Sequence, residues 1–316
     1  MHDKKFVPVM ITPFNLKAKV DLDAVSALID FYLAAGVKGF FANCLSSEMF
    51  SISEDERLEL TSHVVKYVKG RVPIVATGSF GLTLEDKAEF TKKIYYAGVD
   101  AVIMITGHFA KVEEPDTILL QNFDRMFSLT GNIPLGMYEC PAPYKRILPA
   151  DVFKQLVDSG RIVYHKDTSI LTSNVKAKLD AIKDNNNLEF YDAHTPNAVF
   201  SLQNGARGMS SISGNFYPEI MTWICDNANN PEQQDVVKWL QSELTRVDPL
   251  IHDAYPMSAK YFLQKRGLPV RTISRATAFQ LTPEQKNTLD AIYESFLQWC
   301  ERLEIKPVGA GTLHAS

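Results

Sequence analysis

PLGMYECPAPYKRILPADVFKQLVDSGRIVYHK, residues 134–166, holds two short apolar runs with a helical pattern between them. The runs are PLGMY at 134–138 and IVYHK at 162–166. Between them, residues 152–157 place apolar side chains at helical spacing, and Gly160 lies where that helix should stop. A strand, a crossover helix and a second strand in about 30 residues make one βαβ unit. Neither run alternates between polar and apolar, as expected of parallel strands buried on both faces.

The same unit recurs in both directions. Apolar runs occupy 6–12, 39–43, 73–77, 101–106, 188–192 and 208–211. Successive run ends lie about 30 residues apart except for the last, shorter interval. Leu22, Val25, Leu28, Ile29 and Leu33 form a helical stripe, and residues 88–97 and 118–127 follow the same plan. Ser53 and Glu56 have the spacing of a capping box, and Gly36 and Gly98 sit at helix ends. Eight strands alternating with helices predict an α/β protein with a (β/α)8 TIM barrel over 1–230. No GxGxxG follows the first run, which disfavours an open dinucleotide-binding sheet. Residues 231–303 read as helices only, at 233–247, 256–264 and 283–303, punctuated by Tyr255-Pro256 and Gly267-Leu268-Pro269. They predict a helical extension packed on the barrel, followed by a disordered tail at 304–316.

The 316 residues include 46% hydrophobic and 22% charged side chains, with a net charge of -4. No basic stripe points to nucleic acid. No run reaches the roughly 18 apolar residues of a membrane-spanning helix, and the N-terminus has no signal-peptide apolar stretch. Cys44, Cys140, Cys225 and Cys300 form no CxxC pair and read as free thiols of a cytoplasmic protein. No candidate ligands share a metal-like local spacing, so no metal is expected.

Barrel enzymes place their chemistry at the C-terminal ends of the strands. Lys166 closes IVYHK there. An ammonium at an apolar barrel mouth is costly to desolvate, so its pKa should fall and leave a nucleophilic neutral amine. The bland alternative is a strand-end lysine reaching to solvent. Tyr138 closes the preceding run, where a phenol can move protons. The turn NCLSSEMF offers Ser46, Ser47 and Glu48, and hydroxyls with backbone NH groups can hold a carboxylate. His108, His194, Ser211 and Ser213 follow strands four, seven and eight and are candidates for contacts to the rest of a substrate.

Several segments together resemble the dihydrodipicolinate synthase / N-acetylneuraminate lyase family of class I aldolases. They are PVMITPF, YECP (138–141), HKDTS (165–169) and GARGMSSISGNFYPE (205–219). The resemblance implies that Lys166 forms a Schiff base with a 2-keto acid, without metal or cofactor. It implies Tyr138 as proton shuttle, the turn after strand two as carboxylate site, and a homotetramer or homodimer. Some positions depart from the family pattern. Leu45 lacks a hydroxyl and Ser47 stands where the family has glycine. Phe109 matches a relay tyrosine of the synthase branch, and Pro143 stands near that branch's carboxylate-binding arginine, with Lys145 and Arg146 slightly later. A lysine-biosynthesis synthase therefore fits less well than a lyase of keto-deoxy sugar acids. A dehydratase using the same imine, or a barrel that binds a keto acid without turnover, are the alternatives.

Overall fold

The computed structural model describes residues 3–309. In chain order its elements are β1 (Lys5–Phe6), α1 (Leu22–Ala34), β2 (Phe40–Phe41), α2 (Glu54–Val68), β3 (Ile74–Thr77), α3 (Leu84–Tyr96), β4 (Ala101–Ile105), α4 (Asp116–Thr130), β5 (Leu135–Tyr138) and α5 (Ala150–Asp158). There follow β6 (Ile162–Asp167), α6 (Thr172–Ala181), β7 (Glu189–Asp192), α7 (Ala198–Gln203), β8 (Gly208–Met209) and α8 (Pro218–Asn227). The extension adds α9 (Gln234–His252), α10 (Met257–Lys265) and α11 (Pro283–Arg302).

The strands pair in parallel in the order β1-β8-β7-β6-β5-β4-β3-β2. The ring closes beyond the end of β1, where Val9 bridges Phe41 in parallel. There Phe41 N donates to Pro8 O at 3.0 Å and Met10 N to Phe41 O at 3.1 Å. Pro8 has no NH to give, so the ladder of β1 is broken where the apolar run 6–12 predicts a longer strand. β8 approaches β1 so closely that a Cβ on Gly208 would lie 1.8 Å from Lys5 O, which requires glycine.

Side chains alternate across the strands and divide the core in two. The barrel interior holds Val7, Val9, Phe41, Val75, Ile103, Ile105, Tyr138, Tyr164 and Tyr191. A larger layer fills the space between strands and helices. The capping box at α2 forms as expected: Ser53 Oγ accepts from Glu56 N and Glu56 Oε2 accepts from Ser53 N. The sequence reading assigned no helix to α6, α7 or α8. α6 buries Val175, Lys178 and Leu179, so a lysine interrupts its apolar stripe. α7 has 6 residues, too few to show a period.

The extension lies against the barrel through Trp299 on Tyr217 and Phe262 on Phe216. The expected tail divides. Residues 310–316 lie outside the described residues. Val308, in contrast to the expectation, is buried; its carbonyl accepts from Arg266 and its NH donates to Glu219 Oε1 at 2.9 Å. A partnered, buried guanidinium holds this segment, so it is not a free tail.

Candidate active site

Strand β6 alternates its side chains between two environments. Tyr164 and Lys166 face the barrel interior, whereas His165 and Asp167 face the helices. Lys166 pairs in register with Tyr138 on β5, so the two residues lie side by side on the inner wall. Lys166 Nζ sits 4.4 Å from the centre of the Tyr138 ring and 5.6 Å from that of Phe41. Lys166 is 4% exposed. Burial lowers its pKa to about 8, with the Cys44 and Cys140 thiols acting weakly in the other direction. Burial also raises the Tyr138 phenol well above its ordinary value, and the Cys140 thiol beside it adds to this. The phenol therefore stays protonated at neutral pH and becomes a strong base once ionised. Both residues line a cavity of about 400 Å³ at the C-terminal mouth of the barrel.

The turn after β2 is a single 3-10 turn, Leu45–Ser47. The first NH groups of such a turn, those of Leu45 and Ser46, have no intrahelical acceptor. Ser46 and Leu45 line the cavity. Ser47 does not. Its hydroxyl lies 2.7 Å from Met10 O and 2.9 Å from Ala42 O and accepts from Cys44 N, so it fastens the turn to the barrel. Thr12 adds to this by donating to Ser47 O at 2.7 Å. The left-handed residue of the turn is Glu48 at φ 57 rather than Ser47, which accounts for a serine being tolerated in place of glycine. Glu48 borders the cavity, and both of its carboxylate oxygens are held by the extension. Lys260 Nζ lies 2.6 Å from Oε1, while Ser274 Oγ, Arg275 N and Ala276 N donate to Oε2. It anchors the extension over the turn.

His194 lines the cavity, and its backbone NH donates to Asp192 Oδ1 at 2.8 Å. Burial raises that Asp192 carboxyl to about 7, against the Ser201 hydroxyl bonded to it. His108 lies elsewhere: its ring packs on Phe50 and Phe80, and Nδ1 is 2.6 Å from Ser79 O. Ser213 is bonded to Thr195 at 2.6 Å and is fully buried. Ser211 is buried as well, and its neighbour Ser210 reaches the cavity instead. Phe109 is packed on Phe123 in the helix layer. Arg146 is turned away to Asp116.

The cavity also contains residues that the sequence reading did not single out: Tyr255, His252, Thr168 and, as a lining residue, Lys145. Lys145 Nζ donates to Thr168 O at 2.8 Å. Tyr255 and His252 come from the extension, whose residues have no strand end to mark them. The Tyr-Pro pair reads in sequence only as a helix break.

Behind the inner wall, Glu139, His165 and Asp167 bring potential ligand atoms within 4.8 Å of one another. Lys178 of α6 occupies the centre of this group, with Nζ bonded to Glu139 Oε1 and, at 2.6 Å, to Asp167 Oδ2. Burial opposes its charge, and the two carboxylates overcome this and raise its pKa. The ammonium supplies the positive charge that a metal would otherwise bring. The network ties β5 and β6 together one residue past Tyr138 and Lys166.

The fold is thus a parallel eight-stranded barrel with a buried amine and a phenol side by side at its mouth. The family model described as the dihydrodipicolinate synthetase family matches residues 3–295, and the chain belongs to that family. The 4-hydroxy-tetrahydrodipicolinate synthase of Bacillus subtilis (strain 168) is 27% identical over 284 residues, covering 89% of this chain and 95% of the relative. The solved structure of YagE from E. coli K12, described as a prophage protein of the dihydrodipicolinic acid synthase family in complex with pyruvate, superposes with a TM-score of 0.83. It is 21% identical and covers 93% of this chain and 98% of its own. CdNal from Clostridium difficile, in complex with mannosamine, gives 0.81 at 16% identity, covering 93% and 99%. Membership makes the chain a class I aldolase-type lyase, in a family that works through a lysine Schiff base without metal or cofactor. Among the described residues no helix is long and apolar enough to cross a membrane.

Proposed function

We propose that the protein is a lyase that forms an imine between Lys166 and a 2-keto acid and cleaves or makes the C3–C4 bond. The neutral Lys166 amine attacks the keto carbon, and Tyr138 passes a proton to the hydroxyl that leaves as water. In the cleavage direction Tyr138 takes the proton of the C4 hydroxyl. The C3–C4 electrons move into the iminium and an aldehyde departs; Tyr138 then returns its proton to C3 of the resulting enamine, and hydrolysis of the imine releases pyruvate. Ser46, with the NH groups of Leu45 and Ser46, holds the carboxylate. Lys145, Thr168, His194 and His252 contact the far end, and a keto-deoxy sugar acid matches their hydrogen-bonding capacity. The observation that carries this reading is the buried Lys166 amine beside Tyr138 in an open cavity.

A dehydratase acting through the same imine is the second reading. His194 and His252 both line the far wall, and an imidazole there can protonate a departing hydroxyl. The test is incubation with pyruvate, borohydride reduction and peptide mapping by mass. No adduct on Lys166 with any 2-keto acid refutes the imine. An adduct without turnover on a panel of keto-deoxy sugar acids identifies a binding barrel, and the product separates aldolase from dehydratase. We also propose a cytoplasmic homodimer or homotetramer. Four buried free thiols fit a reducing compartment, and light scattering tests the assembly.

A further inference from the structure

Ile170 has a backbone conformation that its own side chain resists. Its φ is 70, and it is the only β-branched residue at positive φ among the described residues. A side chain branched at Cβ crowds the backbone there, so the conformation persists only where the surroundings impose it. They impose it from both sides. The preceding Ser169 donates its NH and its hydroxyl to Asp167 Oδ1 at 2.7 and 2.6 Å, and Lys178 Nζ holds the other oxygen of that carboxylate at 2.6 Å. The Ile170 carbonyl accepts from Nδ2 of the buried Asn197 at 2.7 Å. Leu171 then opens α6, its carbonyl accepting from Asn174 N and Val175 N. None of these contacts uses the Ile170 side chain.

Glycine or asparagine would meet the same backbone at less cost. Nor does the core hold the isoleucine side chain, because the residue is 48% exposed. It lines the cavity that contains Lys166 and Tyr138. Lys166 lies within β6 and is buried, whereas Ile170 comes three residues past the end of that strand and stands at the rim. Pro141, Ala193, Ile212 and Pro256 line the same cavity. An exposed aliphatic group in a strained pose gains little in the free protein. It gains once an apolar group enters the cavity and covers it.

We propose that Ile170 is a specificity-determining residue that selects 2-keto acids whose far end is an alkyl group rather than a hydroxymethyl or charged group. The proposal rests on the reading of Lys166 as the imine lysine, and it narrows the keto-deoxy acids that fit. Hydroxyls along the middle of such a chain still meet Lys145, Thr168, His194 and His252, while the terminal carbon packs on Ile170. A hydroxyl placed there instead would lose water against an aliphatic side chain that offers no hydrogen bond in return, and a charge would lose more.

The test uses keto acids that form the imine but have no C4 hydroxyl to react: 2-oxoheptanoate and 2-oxooctanoate, each paired with its terminal-hydroxyl counterpart. They are titrated against wild type, Ile170→Gly and Ile170→Asn, and the Lys166 adduct is trapped with borohydride and counted by mass. In wild type the methyl-ended acid of at least one length should half-saturate at roughly a tenth of the concentration its hydroxyl counterpart needs, the scale on which an apolar pocket separates such groups. Ile170→Gly should bring that ratio close to one, and Ile170→Asn should favour the hydroxyl further. Asparagine accepts the left-handed backbone, so Ile170→Asn should also unfold at a higher urea concentration than wild type. General loosening of the fold would weaken both members of a pair alike and lower the urea midpoint. A wild-type ratio near one at both lengths overturns the proposal and leaves the imine standing. So does a wild-type ratio retained in both variants, or an Ile170→Asn midpoint below that of wild type, which would make Ile170 a packing residue. Wild-type protein that traps no keto acid at Lys166 overturns both this proposal and the imine on which it rests.

Discussion

Lys166 offers a test in which catalysis and stability must report the same quantity. A lysine at its ordinary value of 10.5 is neutral to about 0.03% at pH 7 and about 3% at pH 9. Burial brings Lys166 to about 8. At that value about a tenth of the amine is neutral at pH 7 and about nine-tenths at pH 9. The initial rate of pyruvate trapping by cyanoborohydride, read as adduct mass, should therefore rise about tenfold between pH 7 and 9 and then level off. Linkage gives the second reading. Between pH 8 and 10.5 the unfolded chain binds a proton at this lysine that the folded chain has released. Stability at this site therefore increases with pH in that window, and below it folding carries the full penalty of a buried ammonium. A depression from 10.5 to about 8 corresponds to about 3 kcal/mol. Lys166→Met should abolish the adduct, raise stability by about that amount at pH 7 in urea unfolding, and lose the gain as pH approaches 10.5. A trapping rate still climbing tenfold per unit above pH 9, together with no stabilisation in Lys166→Met, would refute the buried neutral amine.

Tyr138→Phe should lower turnover by roughly 10²- to 10⁴-fold while the slow adduct still maps to Lys166; unchanged turnover removes the phenol from the mechanism. Lys178→Met leaves the Glu139 and Asp167 carboxylates buried without a counter-charge, and urea unfolding should show a loss of about 3–5 kcal/mol. Lys260→Met should raise KM more than it lowers kcat, since Glu48 then loses its buried partner and residues 274–276 lose their anchor; an unchanged KM contradicts that role. Dialysis against a strong chelator should leave turnover intact, because the Lys178 ammonium occupies the acidic group behind the wall. Activity lost and then restored by added zinc or magnesium would overturn that assignment.

The barrel was legible because its units repeat a physical requirement. Parallel strands buried on both faces need continuous apolar runs, and Ser53 with Glu56 and the glycines at 36, 98 and 160 mark helix ends by local chemistry alone. Lys166 and Tyr138 were legible for a related reason, since a polar residue closing an apolar run is conspicuous. Residues whose role depends on a distant partner could not be read this way. Glu48 looks like a ligand in a turn until Lys260, 212 residues away, is seen to bind it. The hydroxyls of Ser46 and Ser47 are adjacent and chemically alike, and only the three-dimensional placement of Met10 and Ala42 turns one inward. α6 escaped detection because its buried face includes Lys178, whose carboxylate partners belong to β5 and β6.

The clasp of Glu48 by Lys260, Ser274 and the NH groups of Arg275 and Ala276 bears on how this enzyme can change. A buried carboxylate with four partners on the extension cannot be inherited by a shortened barrel without penalty, so the boundary near residue 230 separates secondary-structure types rather than interchangeable modules. Grafting the helices of another family member onto this barrel would have to bring a matching cation for Glu48. Drift in the extension is therefore a route by which substrate preference can diverge while the strand ends that carry the lysine and the phenol stay the same.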